Sequence, residues 1–240
     1  MQNYQRFWRS VVAVLAVLVG LMVPAMTPVA QADSPQVLPS DAKAYGQWSA
    51  EWWQWALELP VNGHPFSEEL NSSDFDCAAG QAGHFWFLGA PFISTTPTER
   101  TCMIPTGKSV FFGLLNAECS DLEGLGTTEA EQRDCAADLA NHILEGSLFC
   151  SIDGVDCVEN LAAYRVQSPQ FTFTALTPWI FGDIGGTGTA VSDGYFLRLT
   201  PLPKGVYTLH YGGSIHFSTA EGDPFDFDGS IDITYHLIVD

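Results

Sequence analysis

Three histidines and an aspartate near the C-terminus carry the residue types with the widest chemical reach. In 206–211, Tyr207, Leu209 and Tyr211 fall on one face of a strand and His210 on the other. In 231–239, Ile231, Ile233, Tyr235, Leu237 and Val239 form an apolar face, with Asp232, Thr234 and His236 opposite. An antiparallel pairing centred on residue 224 makes His210 and His236 diagonal neighbours and sets His216 opposite Asp232. Such a set could ligate zinc or copper, or pass protons near neutral pH. The competing reading is a solvated sheet face, because the cluster exists only in one register and register controls every neighbour.

The segment between those strands, Glu221 to Gly229, places four carboxylates within eight residues and ends Asp-x-Asp-Gly. Asp223, Asp226 and Asp228 are therefore candidate ligands for calcium, which takes hard oxygen donors. The twelfth-position Glu of an EF-hand loop is missing, and the plainer alternative is a solvated acidic turn. Trp53 and Trp86 are the candidate ligand contacts. Four tryptophans (48, 52, 53 and 55) lie within eight residues, and Trp53 falls off their helical stripe, which predicts an exposed ring able to stack on a sugar.

Other motifs fail on their spacing. Thr106-Gly107-Lys108-Ser109 resembles the end of a P-loop, but Cys102 occupies the upstream glycine position. Ser40-Asp41-Ala42-Lys43 matches S-x-x-K without a following K-T-G. There is no G-x-S-x-G, no H-E-x-x-H and no C-x-x-C, which removes the usual hydrolase and zinc-finger readings. His142 and Glu145 read as a solvated pair, 182–188 as a mobile glycine-rich loop, and Arg165 and Arg198 as ion-pair partners for acids.

The elements that must position these residues are mostly strands. One strong helix starts after Pro39, with Ser40 as its N-cap and Pro60 as its stop. Tyr45, Trp48, Trp52, Trp55 and Leu59 recur at spacings of three and four, an apolar stripe suited to docking on a sheet. Thr128 with Glu131 signals the start of a second helix running to Leu144. Residues 61–82 read as loop, and Asn71-Ser72-Ser73 within them is formally a glycosylation sequon. Strands are predicted at 84–88, 109–115, 147–152, 155–160, 164–175, 190–200, 205–217 and 230–239. The fold class is mainly β: a β-sandwich with an N-terminal Trp-rich helix and a second, inserted helix.

Composition bounds the rest. The 240 residues include 9 basic and 28 acidic side chains, 46% hydrophobic residues and a net charge of −19. That hydrophobicity excludes intrinsic disorder, and the acidity excludes a nucleic-acid partner. Arg6 and Arg9, the apolar run from Val11 to Val23, and Ala30-Gln31-Ala32 read as a secretory signal peptide over residues 1–32. Its removal leaves 33–240 as a single domain with charge −21 and no second apolar run for a membrane.

Six cysteines in a secreted chain imply three disulfides. Asp153-Gly154 predicts a two-residue hairpin turn, and pairing outward from it sets Cys150 opposite Cys157. Cys77–Cys102 and Cys119–Cys135 then need the least chain rearrangement.

Several stretches, taken together, resemble a family of uncharacterised secreted bacterial proteins. They are 48–60 (WSAEWWQWALELP), Gly80 to Leu88, 102–116 (CMIPTGKSVFFGLLN), Ile152 to Gly154, Tyr164 to Pro169, Ser192 to Tyr195 and Pro201 to Gly205. The chain departs from that pattern at Gly113, where proline is expected, and in the added pair Cys150 and Cys157. The resemblance implies secretion and one β-rich domain, and it supplies no activity. Two functional readings follow. The first is a secreted, non-catalytic protein that binds a carbohydrate, a cation or a partner surface through Trp53, 182–188 or 221–229. The second is a metal-assisted or acid–base hydrolase built on His210, His216, His236 and Asp232.

Overall fold

A computed structural model describes residues 35–67, 76–92, 94 and 97–240. The predicted signal peptide and the sequon at Asn71 lie outside the described residues. Among the described residues the chain is mainly β, with two α-helices and two mixed sheets. Among the described residues, no helix is long and apolar enough to cross a membrane.

Helix α1 spans Ala42–Glu58. Its N-cap is Asp41 and not Ser40: the Asp41 carboxylate accepts from the Ala44 N–H at 2.9 Å, and a carboxylate also suits the positive end of the helix. The strands that follow are β1 (Phe85–Leu88), β2 (Thr98–Ile104) and β3 (Ser109–Ser120). Helix α2, Glu129–Asn141, starts with the predicted capping box of Thr128 and Glu131. It stops three residues early because Ile143 leaves it to bridge Ile215. The remaining strands are β4 (Phe149–Ile152), β5 (Val155–Asp156), β6 (Arg165–Gln167), β7 (Phe171–Ala175), β8 (Gly186–Leu199), β9 (Gly205–Phe217) and β10 (Phe227–Val239).

The first sheet runs β1-β3-β8-β6, with β7 also paired to β8; the second runs β2-β10-β9-β4-β5. Strand β2 escapes the sequence reading because Thr98-Glu99-Arg100-Thr101 looks polar. It pairs parallel to β10, and Arg100, Cys102 and Ile104 alternate into the core. Arg100 is fully buried, its guanidinium donating to the carbonyls of Pro65 (2.7 Å), Gly89 (3.0 Å) and Ser67 (3.1 Å). Carbonyl dipoles thereby stabilise a charge removed from water.

The register of β3 and β8 sorts their side chains between two faces. Cys119 pairs with Val191, and Cys119 is bonded to Cys135 of α2, so that face carries α2. Phe196 lies on the other face of β8, 5.8 Å from the Trp52 ring of α1. Away from α1, Phe112 of β3 meets Tyr211 of β9 at 4.7 Å, so the two sheets share one core.

All three disulfides form as the spacing implies: Cys77–Cys102, Cys119–Cys135 and Cys150–Cys157. The last closes the hairpin in which Ile152 pairs with Val155 and Ser151 with Asp156. Asp153 (φ 51°) and Gly154 (φ 77°) take the two positive φ values that this turn demands.

Candidate functional site

The C-terminal strands do pair antiparallel, but centred on residue 222: Asp228 faces His216 and Thr234 faces His210. A shift of the centre by two residues preserves faces and changes partners. His210 and His236 therefore remain diagonal neighbours on the outer face, while His216 meets Asp228 in place of Asp232. Each imidazole has its own carboxylate. His210 Nε2 lies 2.8 Å from Asp232, His216 Nδ1 2.7 Å from Asp228, and His236 Nε2 3.7 Å from Glu99. Among the described residues, no group of three or more His, Cys, Asp or Glu side chains could hold a metal ion. His210, His216 and His236 thus make separate imidazole–carboxylate contacts, with Asp232 committed to His210.

The acidic hairpin turn is likewise self-satisfied. Asp223 accepts from the Ser218 N–H at 2.6 Å and meets His142 Nε2 at 2.8 Å. Asp226 accepts from the Thr219 N–H at 2.7 Å and from its hydroxyl. The Ser218 N–H and His142 hold the Asp223 carboxyl below its usual range, and Thr219 does the same for Asp226. Asp223, Asp226 and Asp228 therefore point at three different partners and do not converge as a calcium cage. His142, read as solvated with Glu145, instead ties the end of α2 to this turn. Burial opposes its charge, but the Asp138 carbonyl and Asp223 outweigh that and raise its pKa. The Asp228 hydrogen bond raises His216. Glu145 accepts from the Tyr195 hydroxyl at 2.7 Å.

Two further features depart from the sequence reading. Arg165 does pair with an acid, Asp193, at 2.8 Å, but Arg198 stacks its guanidinium 4.5 Å over the Trp48 ring, an aromatic partner that spacing does not reveal. Gly186, Thr187 and Gly188 belong to β8 and pair with Ala175, Thr174 and Phe173 of β7, so the end of the predicted 182–188 loop is strand.

Trp53 is buried at 3% exposure, not displayed on the surface. The buried face of α1 centres on Tyr45, Ser49, Trp52, Trp53 and Ala56, because the helix is covered by the sheet on one side and by Phe66 on the other. That turns Trp53 into a wall of a cavity of about 210 Å³. Trp52, Phe66, Phe92, Ile215 and Ile231 complete most of the apolar lining. Strand β1 stops pairing with β3 at Leu88–Phe112, and the cavity lies along the next stretch of β3, where a bulge falls between Gly113 and Leu115. Gly113 has a steric reason: a Cβ there would collide with the Asn116 amide nitrogen. Phe92, 44% exposed, stands at the rim.

The buried polar atoms of α1 and of the strands near it are satisfied unevenly. Trp52 Nε1 donates to Leu88 O at 2.8 Å and Trp55 Nε1 to Ala79 O at 3.0 Å. Trp86, the other proposed contact, is buried and aims its Nε1 at Cys77 Sγ, 3.3 Å away. Trp53 Nε1 and Asn116 Oδ1 are buried without a hydrogen-bond partner among the described residues. Two residues beyond Asn116, Glu118 pairs across to Ser192 with the Glu123 carboxyl beside it, and the Ser192 hydroxyl has no hydrogen-bond partner among the described residues. Burial, and then the Glu123 carboxyl beside it, push Glu118 well above the ordinary carboxylate range. Nothing in the sequence marks this row; periodicity singles out Trp53 alone, for an exposure it does not have.

No family model matches the chain, and no curated protein matches it. Among solved structures, the solution structure of amebosin aligns with 65% of this chain and 99% of its own, at 9% identity and a TM-score of 0.21. A score that low carries no inference about fold or function.

Proposed function

We propose that this is a secreted β-sandwich of the uncharacterised family described above, and that it binds a small apolar molecule in the cavity walled by Trp53. The observation that carries the reading is the mostly apolar lining of that cavity, about 210 Å³ between Trp52, Trp53, Phe66, Phe92, Ile215 and Ile231. Concave, mostly apolar sites with few polar groups are where proteins take small ligands. A cavity of about 150 Å³ accepts benzene, so about 210 Å³ accommodates one substituted ring. A sugar chain exceeds that volume, and even one sugar would leave most of its hydroxyls unsatisfied against Trp, Phe and Ile. The three disulfides support a compartment outside the reducing cytoplasm.

Saturation-transfer NMR with toluene tests the reading. Transfer to toluene is expected, together with its loss in Ile231→Trp, which fills the half-buried rim. No transfer to the native protein would overturn it.

One observation favours a second reading, hydrolysis. Ser151 of β4 stands in register with His210 of β9, and His210 is held by Asp232, so serine, imidazole and carboxylate share the outer face of the second sheet. Turnover of p-nitrophenyl acetate that disappears in both Ser151→Ala and His210→Ala would support it. Background hydrolysis unchanged by either substitution would remove it.

A further inference from the structure

The β4–β5 hairpin and the short helical turns Glu145–Ser147 and Leu161–Tyr164 contribute to the walls of another cavity, a groove of about 510 Å³. It shares no lining residue with the Trp53 cavity, and its volume lies within the range of small-molecule sites. Half-buried Leu148, Phe149 and Leu161 give it an apolar part, and exposed Glu145, Asp156 and Glu159 an acidic one. Among the described residues, no lysine, arginine or histidine lines it.

The groove is short of positive charge. Glu145 is held in place by the Tyr195 hydroxyl, which donates to it at 2.7 Å. The Asp156 and Glu159 side chains have no hydrogen-bond or ion-pair partner among the described residues. The arginines are engaged elsewhere: Arg133 with Glu129, Arg165 with Asp193, Arg198 over Trp48 and Arg100 among carbonyls. An anion would therefore meet uncompensated carboxylates, and a cation is the complementary ligand. The three carboxylates do not gather around one ion, because no group of three or more His, Cys, Asp or Glu among the described residues could hold a metal. A fitting ligand carries its positive charges apart from one another, on a body that suits Leu148, Phe149 and Leu161.

We propose that this groove binds a linear aliphatic polyamine, whose ammonium groups meet the carboxylates separately while its methylenes cover the apolar part. The Cys150–Cys157 disulfide then has a role in recognition. Cys150 lines the groove, and Cys157 stands between Asp156 and Glu159, so the bond fixes the acidic wall against β4. A wall held in advance lowers the ordering cost of binding. This site is independent of the Trp53 cavity, and the failure of either leaves the other standing.

Calorimetric titration of the disulfide-bonded protein with spermidine tests the proposal. Salt of about 0.15 M, where the Debye length is about 8 Å, screens the diffuse attraction of the chain's remaining acids. Saturable binding is expected. The double variant Asp156→Asn/Glu159→Gln should bind spermidine about fivefold more weakly. Asp134→Asn, which removes an exposed acid of α2 outside the groove, should leave the affinity unchanged. Hexaamminecobalt(III), trivalent like spermidine but without methylenes, should bind the native protein at least about fivefold more weakly than spermidine. Absence of saturable spermidine binding overturns the proposal. An equal loss in Asp134→Asn overturns it as well, by showing attraction to net charge alone. Hexaamminecobalt(III) binding as tightly as spermidine overturns the polyamine assignment. If the double variant is poorly folded by its melting temperature, Glu159→Gln alone and the native comparison of the two cations still decide.

Discussion

The outer face of the second sheet and the cavity under α1 both gather polar side chains, and they finish them in opposite ways. On the outer face His210, His216 and His236 stand beside Asp232, Asp228 and Glu99, each partly exposed to water. In the interior beneath α1, Trp53 Nε1 and Asn116 Oδ1 have no hydrogen-bond partner among the described residues. Water makes the first arrangement inexpensive whether or not the pairs form, since exposed ion pairs contribute little. The same omission in a dry site costs about 1–3 kcal/mol for each group. Chemically loud residues at the surface are therefore the weaker functional signal here, and a silent deficit in the interior is the stronger one.

The sharpest way to break this contrast lies within α1 itself. Trp52→Ala is expected to cost about 3–5 kcal/mol in urea unfolding, as a large buried ring is lost. Trp52→Phe should still cost about 1–2 kcal/mol, because Leu88 O loses its donor. Trp53→Phe should cost less than Trp52→Phe, since relief of an unpaired buried donor offsets part of the packing that the smaller ring loses. A Trp53→Phe cost as large as that of Trp52→Phe would mean that Trp53 Nε1 is already satisfied.

Glu118 extends the comparison to pH. Its folded value lies above its unfolded one, so the stability it allows is complete below the ordinary carboxylate range and is lost as pH rises through the folded value. Glu118→Gln should match the native protein near about pH 4 and exceed its stability by about 1–2 kcal/mol near about pH 8. Equal stability profiles for the two proteins would contradict the buried placement of Glu118.

The smallest effects are expected on the hairpin turn. His142 and His216 both have raised values, so their pairs contribute most below about pH 6.5 and fade as pH climbs through the folded values. Imidazole NMR titration should place both above free histidine, and Asp223→Asn should return His142 toward it. A His142 value unaffected by that substitution would sever the link between α2 and the turn.

Much of the architecture is legible in the residues. Asp153-Gly154 specifies one hairpin and one disulfide, Thr128 with Glu131 specifies the start of α2, and alternation specifies β9 and β10. Strand β2 is not legible, because the buried position at its centre is an arginine whose partners are carbonyls brought from distant loops. The histidines' faces can be read from alternation, but their partners require a register that sequence alone does not supply across so long a turn. Periodicity selects Trp53 for the wrong reason. The helix stripe tells which residues meet the sheet, and it does not tell that Phe66 folds over the remaining side. The deficit at Asn116 depends on a bulge and on the early end of β1, both products of long-range pairing.

The central claim is that the cavity beneath α1 is where a ligand completes the protein. The indole region of a ¹⁵N-labelled sample, recorded as toluene is added, tests it most directly. The Trp53 Nε1–H resonance should shift in a saturable way as the ligand settles against its ring, while those of Trp55 and Trp86, outside the cavity lining, shift much less. A Trp53 resonance that stays fixed at saturating toluene would contradict it.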